Sequence, residues 1–232
     1  GVASLGHAHP ELAAAIADQA CTLLHTSNLY FHPLQGQVGQ RLAALSGLPR
    51  AFFCNSGTEA VEACLKFARR YWHTNGETNR TRIVALERSF HGRTFGSLSA
   101  TWEPGYRKPF EPLLPEISFV SPTDSHAVDT AIGPDVAAII LEPIQGEGGI
   151  WPLNPELSTV ITTACSRTGT LLIADEIQCG LGRTGTPFYS STLSLKPDLM
   201  ALGKALEPFF AGAVLGDDRA WRAIAVAVRL LC

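Results

Sequence analysis

A few side chains that end apolar runs are placed to do chemistry. Asp175 closes the run Leu171–Ala174, Gln178 follows three residues later, and Lys204 stands just beyond the run Leu199–Leu202. A carboxylate at the end of a buried run needs a cationic or hydrogen-bonding partner, because an unpaired one is heavily penalised. A lysine there offers a nucleophilic amine and, once released, a base. Ser56, Gly57 and Thr58 lie between a short apolar run and a helix, where unpaired N–H groups attract an anion and Gly57 lets it approach. The same stretch is a capping-box pattern, Ser56 with Glu59, which helix capping explains equally. Phe90 to Thr94 join an aromatic plane, a glycine and a guanidinium; Arg93 can take a carboxylate bidentately or be a surface charge. Glu142 and Glu147 flank glycines after the run Val136–Leu141, in a loop shaped for close approach or in a plain turn.

Three chemistries compete for the acid at 175. A Walker B strand also ends in Asp-Glu, but it requires a GxxxxGK[ST] loop, and the chain has none. Gly180, Gly182 and Gly185 fit GxGxxG, yet Thr186–Ser191 does not read as the helix that a dinucleotide site needs. Pyridoxal phosphate uses the whole set. An acid pairs with its ring nitrogen, an anion cradle takes its phosphate, an aromatic side chain covers its ring, and a lysine bonds its aldehyde carbon. In this reading Asp175 holds the ring nitrogen, Gln178 reaches the phenolic oxygen, and Lys204 is the attachment point and proton carrier.

The elements that position these residues alternate along the chain. Pro10 opens a helix reaching Leu24, and a second spans Gln35 to Ser46 with Gly47 as its stop. A third follows Glu59, with Val61, Cys64, Leu65, Ala68 and Trp72 as its core face and Glu62, Lys66, Arg69 and Arg70 on the surface. Ala51–Cys54, Arg82–Leu86, Ile117–Val120, Val136–Leu141, Leu171–Ala174 and Leu199–Leu202 read as strands. Their continuous apolar character predicts an α/β fold: a mainly parallel sheet with helices on both faces. Ligands then bind beyond the carboxyl ends of the strands, where Cys54, Glu87, Glu142, Asp175 and Gly203 stand.

With 232 residues, 46% hydrophobic and 17% charged, the chain has an ordinary globular balance. A net charge of -3, with both signs mixed along the chain, gives no footprint for nucleic acid or an anionic membrane. Six cysteines, at 21, 54, 64, 165, 179 and 232, form no CxxC pair and are expected to be reduced, as in a soluble cytoplasmic protein. No apolar run has the roughly 20 residues of a membrane helix. His7 and His9 have no further ligand at metal spacing, so no metal is expected.

The stretches SLGHAHPE, SNLYFHP, FFCNSGTEAVEACLKFAR, SFHGRTFGSLSAT, ILEPIQGEGGI, LLIADEIQCGLGRTG and PDLMALGKAL resemble, in order, the class III, fold-type I aminotransferases, and among them the acetylornithine branch most closely. The resemblance implies that Gly57 and Thr58 contact the cofactor phosphate, with Ser56 beside them. It also implies that Phe90 stacks on the ring, Arg93 binds a substrate carboxylate, Asp175 pairs with the ring nitrogen, Gln178 bonds its oxygen and Lys204 is the covalent link. Glu147 matches a glutamate that engages an arginine of the C-terminal domain. A homodimer is implied, with small-molecule substrates: an amino donor and a 2-oxo acid.

Where the family has a glycine-rich turn after the lysine, this chain has Glu207–Phe210, and the small C-terminal domain is expected to be missing, with shortening before Gly1 as well. The expected division is an N-terminal segment at 1–50, a cofactor-binding large domain at 51–216 and an atypical tail at 217–232. The expected reaction is transamination of N-acetylornithine with 2-oxoglutarate, giving N-acetylglutamate 5-semialdehyde and glutamate, in arginine biosynthesis. The alternatives are a catalytically silent relative that keeps the scaffold, or an ornithine, succinyl-diaminopimelate or 4-aminobutyrate aminotransferase.

Overall fold

A computed structural model describes residues 1–27, 29–193, 195–206 and 212–220. The departure at Glu207–Phe210 and most of the tail beginning at 217 lie outside the described residues.

Two helices open the chain, α1 (Pro10–Thr22) and α2 (Pro33–Ser46), each with proline in its first turn. α1 stops two residues short of Leu24 because Leu23 is already extended, at φ -165°. Gly47 closes α2 in the left-handed conformation its sequence anticipates. Strand β1 (Arg50–Cys54) leads into the long helix α3 (Gly57–Thr74). Next come β2 (Arg82–Leu86), the short helices α4 (Phe95–Ser99) and α5 (Pro104–Arg107), β3 (Ile117–Val120), α6 (Ser125–Ala131) and β4 (Val136–Leu141). A two-stranded ribbon, β5 (Ile144–Gln145) with β6 (Trp151–Pro152), precedes α7 (Pro155–Thr168), β7 (Leu171–Asp175), β8 (Leu199–Leu202) and β9 (Gly212–Gly216).

The main sheet has the order β3-β2-β4-β7-β8-β9-β1. Pairs β3/β2, β2/β4, β4/β7 and β7/β8 are parallel, whereas β9 runs antiparallel to both β8 and β1. β9 has no counterpart in the sequence reading. Glycines at both ends leave only Ala213–Leu215 as an apolar run, too short to signal a strand.

Both faces of the sheet are covered, which is why its strands lack polar alternation. Ile83, Ala85, Ala138, Ile140, Leu171 and Ile173 pack with Val61, Leu65, Ala68 and Trp72 of α3. Their neighbours in sequence, Val84, Leu86, Ile139, Leu141 and Leu172, face the other way onto Val128, Leu157 and Ile161 of α6 and α7. Trp72 fastens α3 to the sheet: its indole N–H donates to the Ala137 carbonyl at 2.8 Å, and the Arg80 guanidinium lies 3.5 Å from its ring centre. A smaller cluster joins Leu42 of α2 to Met200, Leu202 and Leu215. No helix among the described residues is long and apolar enough to cross a membrane.

Candidate active site

Because the parallel strands share a direction, β1, β2, β4, β7 and β8 all deliver their carboxyl ends to one edge of the sheet. Two close approaches draw these ends together. A Cβ on Gly203, just after β8, would stand 3.1 Å from the Cα of Gly57. One on Gly212, at the start of β9, would stand 2.1 Å from the Ser56 carbonyl oxygen. Only glycine lets β8 and β9 press against the N-terminus of α3, and Lys204 is thereby set beside that helix end. Lys204 itself has φ +23°, an unusual value for a residue with a side chain.

A cavity of about 300 Å³ opens at this edge. Gly57, Thr58, Phe90, Arg93, Asp175, Gln178 and Lys204 line it, so seven of the nine residues to which sequence and resemblance give a cofactor or substrate role meet in one place. Ser56 is the N-cap of α3: its hydroxyl accepts the Glu59 N–H at 3.3 Å, and Glu59 in turn accepts from the Asn55 N–H at 2.7 Å. The serine is thus occupied by the helix, and the N–H groups of Gly57 and Thr58 remain for an anion. Glu147 is exposed and does not line the cavity.

His91, Gly92, Glu142 and Ile177 also line the cavity; sequence places Glu142 at a strand end and His91 and Gly92 inside a motif without a role for them, and does not point to Ile177. Asp175, 4% exposed, has its carboxylate fixed by His91 Nδ1 at 2.7 Å and by the Ile177 N–H at 3.1 Å. With its proton on Nδ1 the imidazole donates to the carboxylate, leaving Nε2 buried and without a hydrogen-bond partner among the described residues. Glu142 accepts the Phe90 N–H at 2.9 Å through one oxygen and the Gly146 N–H at 3.2 Å through the other, tying two loops of the site together. Burial pushes its carboxyl up to about 7; His91 opposes this rise and the Asp175 charge adds to it. Glu142 and His91 each had a signal in the sequence: one follows a wholly apolar strand, the other sits inside FHGRT.

In the same cavity the Lys204 amine donates to the Gln178 side-chain oxygen. Gly146 packs against the same amide, since a Cβ there would stand 2.2 Å from Gln178 Nε2. Ile177 closes over the N-terminus of α3, 3.0 Å from where a Gly57 Cβ would be. Phe90 stands edge to face with Tyr106 at 6.2 Å, and the exposed Arg93 guanidinium lies 5.0 Å from the Tyr106 ring centre.

These donors fit pyridoxal phosphate. Its phenolic oxygen and aldehyde are neighbours on the ring, and Gln178 and Lys204 are hydrogen-bonded neighbours here. Its ring nitrogen is a cationic partner for the buried Asp175 carboxylate, which shares the cavity with the lysine, and its phosphate requires the kind of N–H-rich helix end that α3 supplies.

The profile of the aminotransferase class-III family matches residues 1–228. Acetylornithine aminotransferase of Methanosarcina mazei is 46% identical over 206 residues, which are 88% of this chain and 51% of the relative. The enzyme of the same name from Aquifex aeolicus is 44% identical over 207 residues, 89% of this chain and 55% of the relative. The chain spans about half the length of the curated relatives it matches. Among solved structures, the ornithine aminotransferase of Toxoplasma gondii, with PLP at partial occupancy, superposes with a TM-score of 0.89 at 31% identity, covering 95% of this chain and 54% of that one. An omega-transaminase of Pseudomonas jessenii in complex with PMP gives 0.92 at 28% identity, covering 99% and 57%.

Proposed function

The chain belongs to the class-III aminotransferase family, and from that premise we propose that it carries out pyridoxal-phosphate-dependent transamination, with N-acetylornithine as amino donor and 2-oxoglutarate as acceptor. The observation that carries the reading is the meeting of Lys204, Gln178 and Asp175 with the start of α3 in one cavity. The choice of donor is supported by relatives at 43 to 46% identity that bear the acetylornithine name.

Bound pyridoxal phosphate would supply an aldehyde that condenses with amines and a ring that stabilises negative charge at the substrate Cα. The protein's own residues do the rest. Asp175, oriented by His91 and the Ile177 N–H, supplies the negative charge that keeps the ring nitrogen protonated. Phe90 and Ile177 provide apolar surface for a ring, and the amides of Gly57 and Thr58 face a phosphate. The Lys204 amine, freed when substrate binds, carries the proton from the substrate Cα. Arg93 receives a substrate carboxylate, and Glu147 acts from outside the cavity on the exchange of substrates.

The proposal includes a homodimer and a division into 1–50, 51–216 and 217–232. α1 buries no residue, and Leu24, Leu29 and Phe31 are 80, 87 and 102% exposed, an apolar surface that a second copy would cover. The assay loads the chain with pyridoxal phosphate and follows glutamate formed from 2-oxoglutarate with N-acetylornithine, ornithine or 4-aminobutyrate as donor. N-acetylornithine is expected to be the best donor. Preference for another donor overturns the substrate assignment, and cofactor capture without turnover supports the silent-relative alternative.

A further inference from the structure

Helical spacing puts Glu62 of α3 among surface residues, yet the structure tucks it partly buried beneath the turn that carries Arg93. One carboxylate oxygen, Oε1, accepts three hydrogen bonds: from the Thr94 hydroxyl, from the Gly96 N–H at 2.7 Å and from the Ser97 N–H at 3.0 Å. The other, Oε2, fills the space over Gly96, where a Cβ would stand 2.3 Å from it. An ionised carboxylate only accepts, so the single Thr94 hydroxyl proton is committed to Glu62. Toward Thr58 Oγ1, 3.0 Å away, the Thr94 oxygen is therefore an acceptor. Ser97 Oγ is 2.7 Å from the same Thr58 oxygen. On the other side of Arg93, Gly92 runs so close to this hydroxyl cluster that a Cβ would meet Thr58 Oγ1 at 2.4 Å.

Thr94 is thus hydrogen-bonded to the first turns of α3 and Gly92 is packed against them, while the arginine side chain is exposed. Its guanidinium lies over the Tyr106 ring, 5.0 Å from the centre, and the direction of the arm is set by this backbone, since a guanidinium loses rotamer entropy on being placed. We propose that Glu62 is a positioning residue for carboxylate recognition, holding the Arg93 turn against Gly57 and Thr58. The separation between the guanidinium and the anion-binding end of α3 is thereby fixed. This inference rests on the reading of Arg93 as the ligand of a substrate carboxylate.

The test uses the cofactor-loaded chain and glutarate, a dicarboxylate without an amine that binds but cannot react, with affinity read by calorimetry. Glu62→Ala is expected to weaken glutarate roughly 10-fold or more, the range for a misplaced binding group, while pyridoxal phosphate affinity changes less than about 3-fold. Glu62→Gln, which keeps an acceptor oxygen, should bind glutarate nearly as the unaltered chain does. Gly96→Ala, which pushes the carboxylate away without removing it, should resemble Glu62→Ala and serves if that variant fails to fold. Equal losses of glutarate and cofactor affinity, or no loss in Glu62→Ala and Gly96→Ala, overturn the proposal. Arg93→Ala separates the two layers: if it leaves glutarate binding intact, or if the unaltered chain does not bind glutarate, the carboxylate reading fails and the inference with it.

Discussion

Glu142→Gln should change how stability depends on pH, in a direction set by the burial of this carboxyl. In the folded chain Glu142 is 4% exposed, and burial pushes its carboxyl up to about 7 from an ordinary 4.5. Between those values the folded state keeps a proton that the unfolded state has released. Stability therefore falls as pH rises, by about 1.4 kcal/mol per unit, the contribution being complete below about pH 4.5 and gone above about pH 7. Over the window this amounts to about 3 kcal/mol. Glutamine cannot ionise, so its own contribution is level. Asp198, raised by burial to about 6, slopes the same way in both proteins and drops out of their difference. Urea unfolding of the cofactor-free chain at a series of pH values gives the two curves. The unaltered chain should lose stability relative to the variant from about pH 4.5 to about pH 7, and parallel curves would refute the burial argument.

Three further outcomes follow from packing. Gly92→Ala forces a Cβ to within 2.4 Å of Thr58 Oγ1 and 2.6 Å of Ser97 Oγ at φ +131°, and should lower unfolding free energy by about 2 kcal/mol or more in a urea titration. Trp72→Ala removes a ring 5% exposed and the indole N–H that donates to the Ala137 carbonyl; a loss of about 3–5 kcal/mol is expected by the same titration. Among the described cysteines, Cys21 is exposed and should react first with a chromogenic disulfide. Burial pushes the Cys54 thiol up to about 11 and the Cys165 thiol up to about 12, and raises Cys64 and Cys179 well above the usual range, so peptide mapping should find these labelled only on unfolding, with Cys54 the earliest.

The parallel half of the sheet was legible in sequence because each strand is a run of apolar residues too short for a helix and buried on both faces. β9 was not, since Gly212 and Gly216 are present for close approach and contribute nothing to a hydrophobic pattern. Asp175 and Lys204 stood out because acid and amine at the ends of apolar runs demand partners. His91 and Glu142 escaped assignment because their partners, Asp175 and the Phe90 amide, lie 84 and 52 residues away and meet only when the strands align. Glu62 was misjudged for a related reason: helical periodicity placed it outside the core face, and only α4 folding back over α3 covers it.

The central claim is that Lys204 is the residue that joins pyridoxal phosphate covalently. Loading the chain with the cofactor, reducing with borohydride and mapping the modified peptide tests it directly. The label should fall on Lys204 and disappear in Lys204→Ala, whereas a label on another lysine, or none at all, would contradict the account.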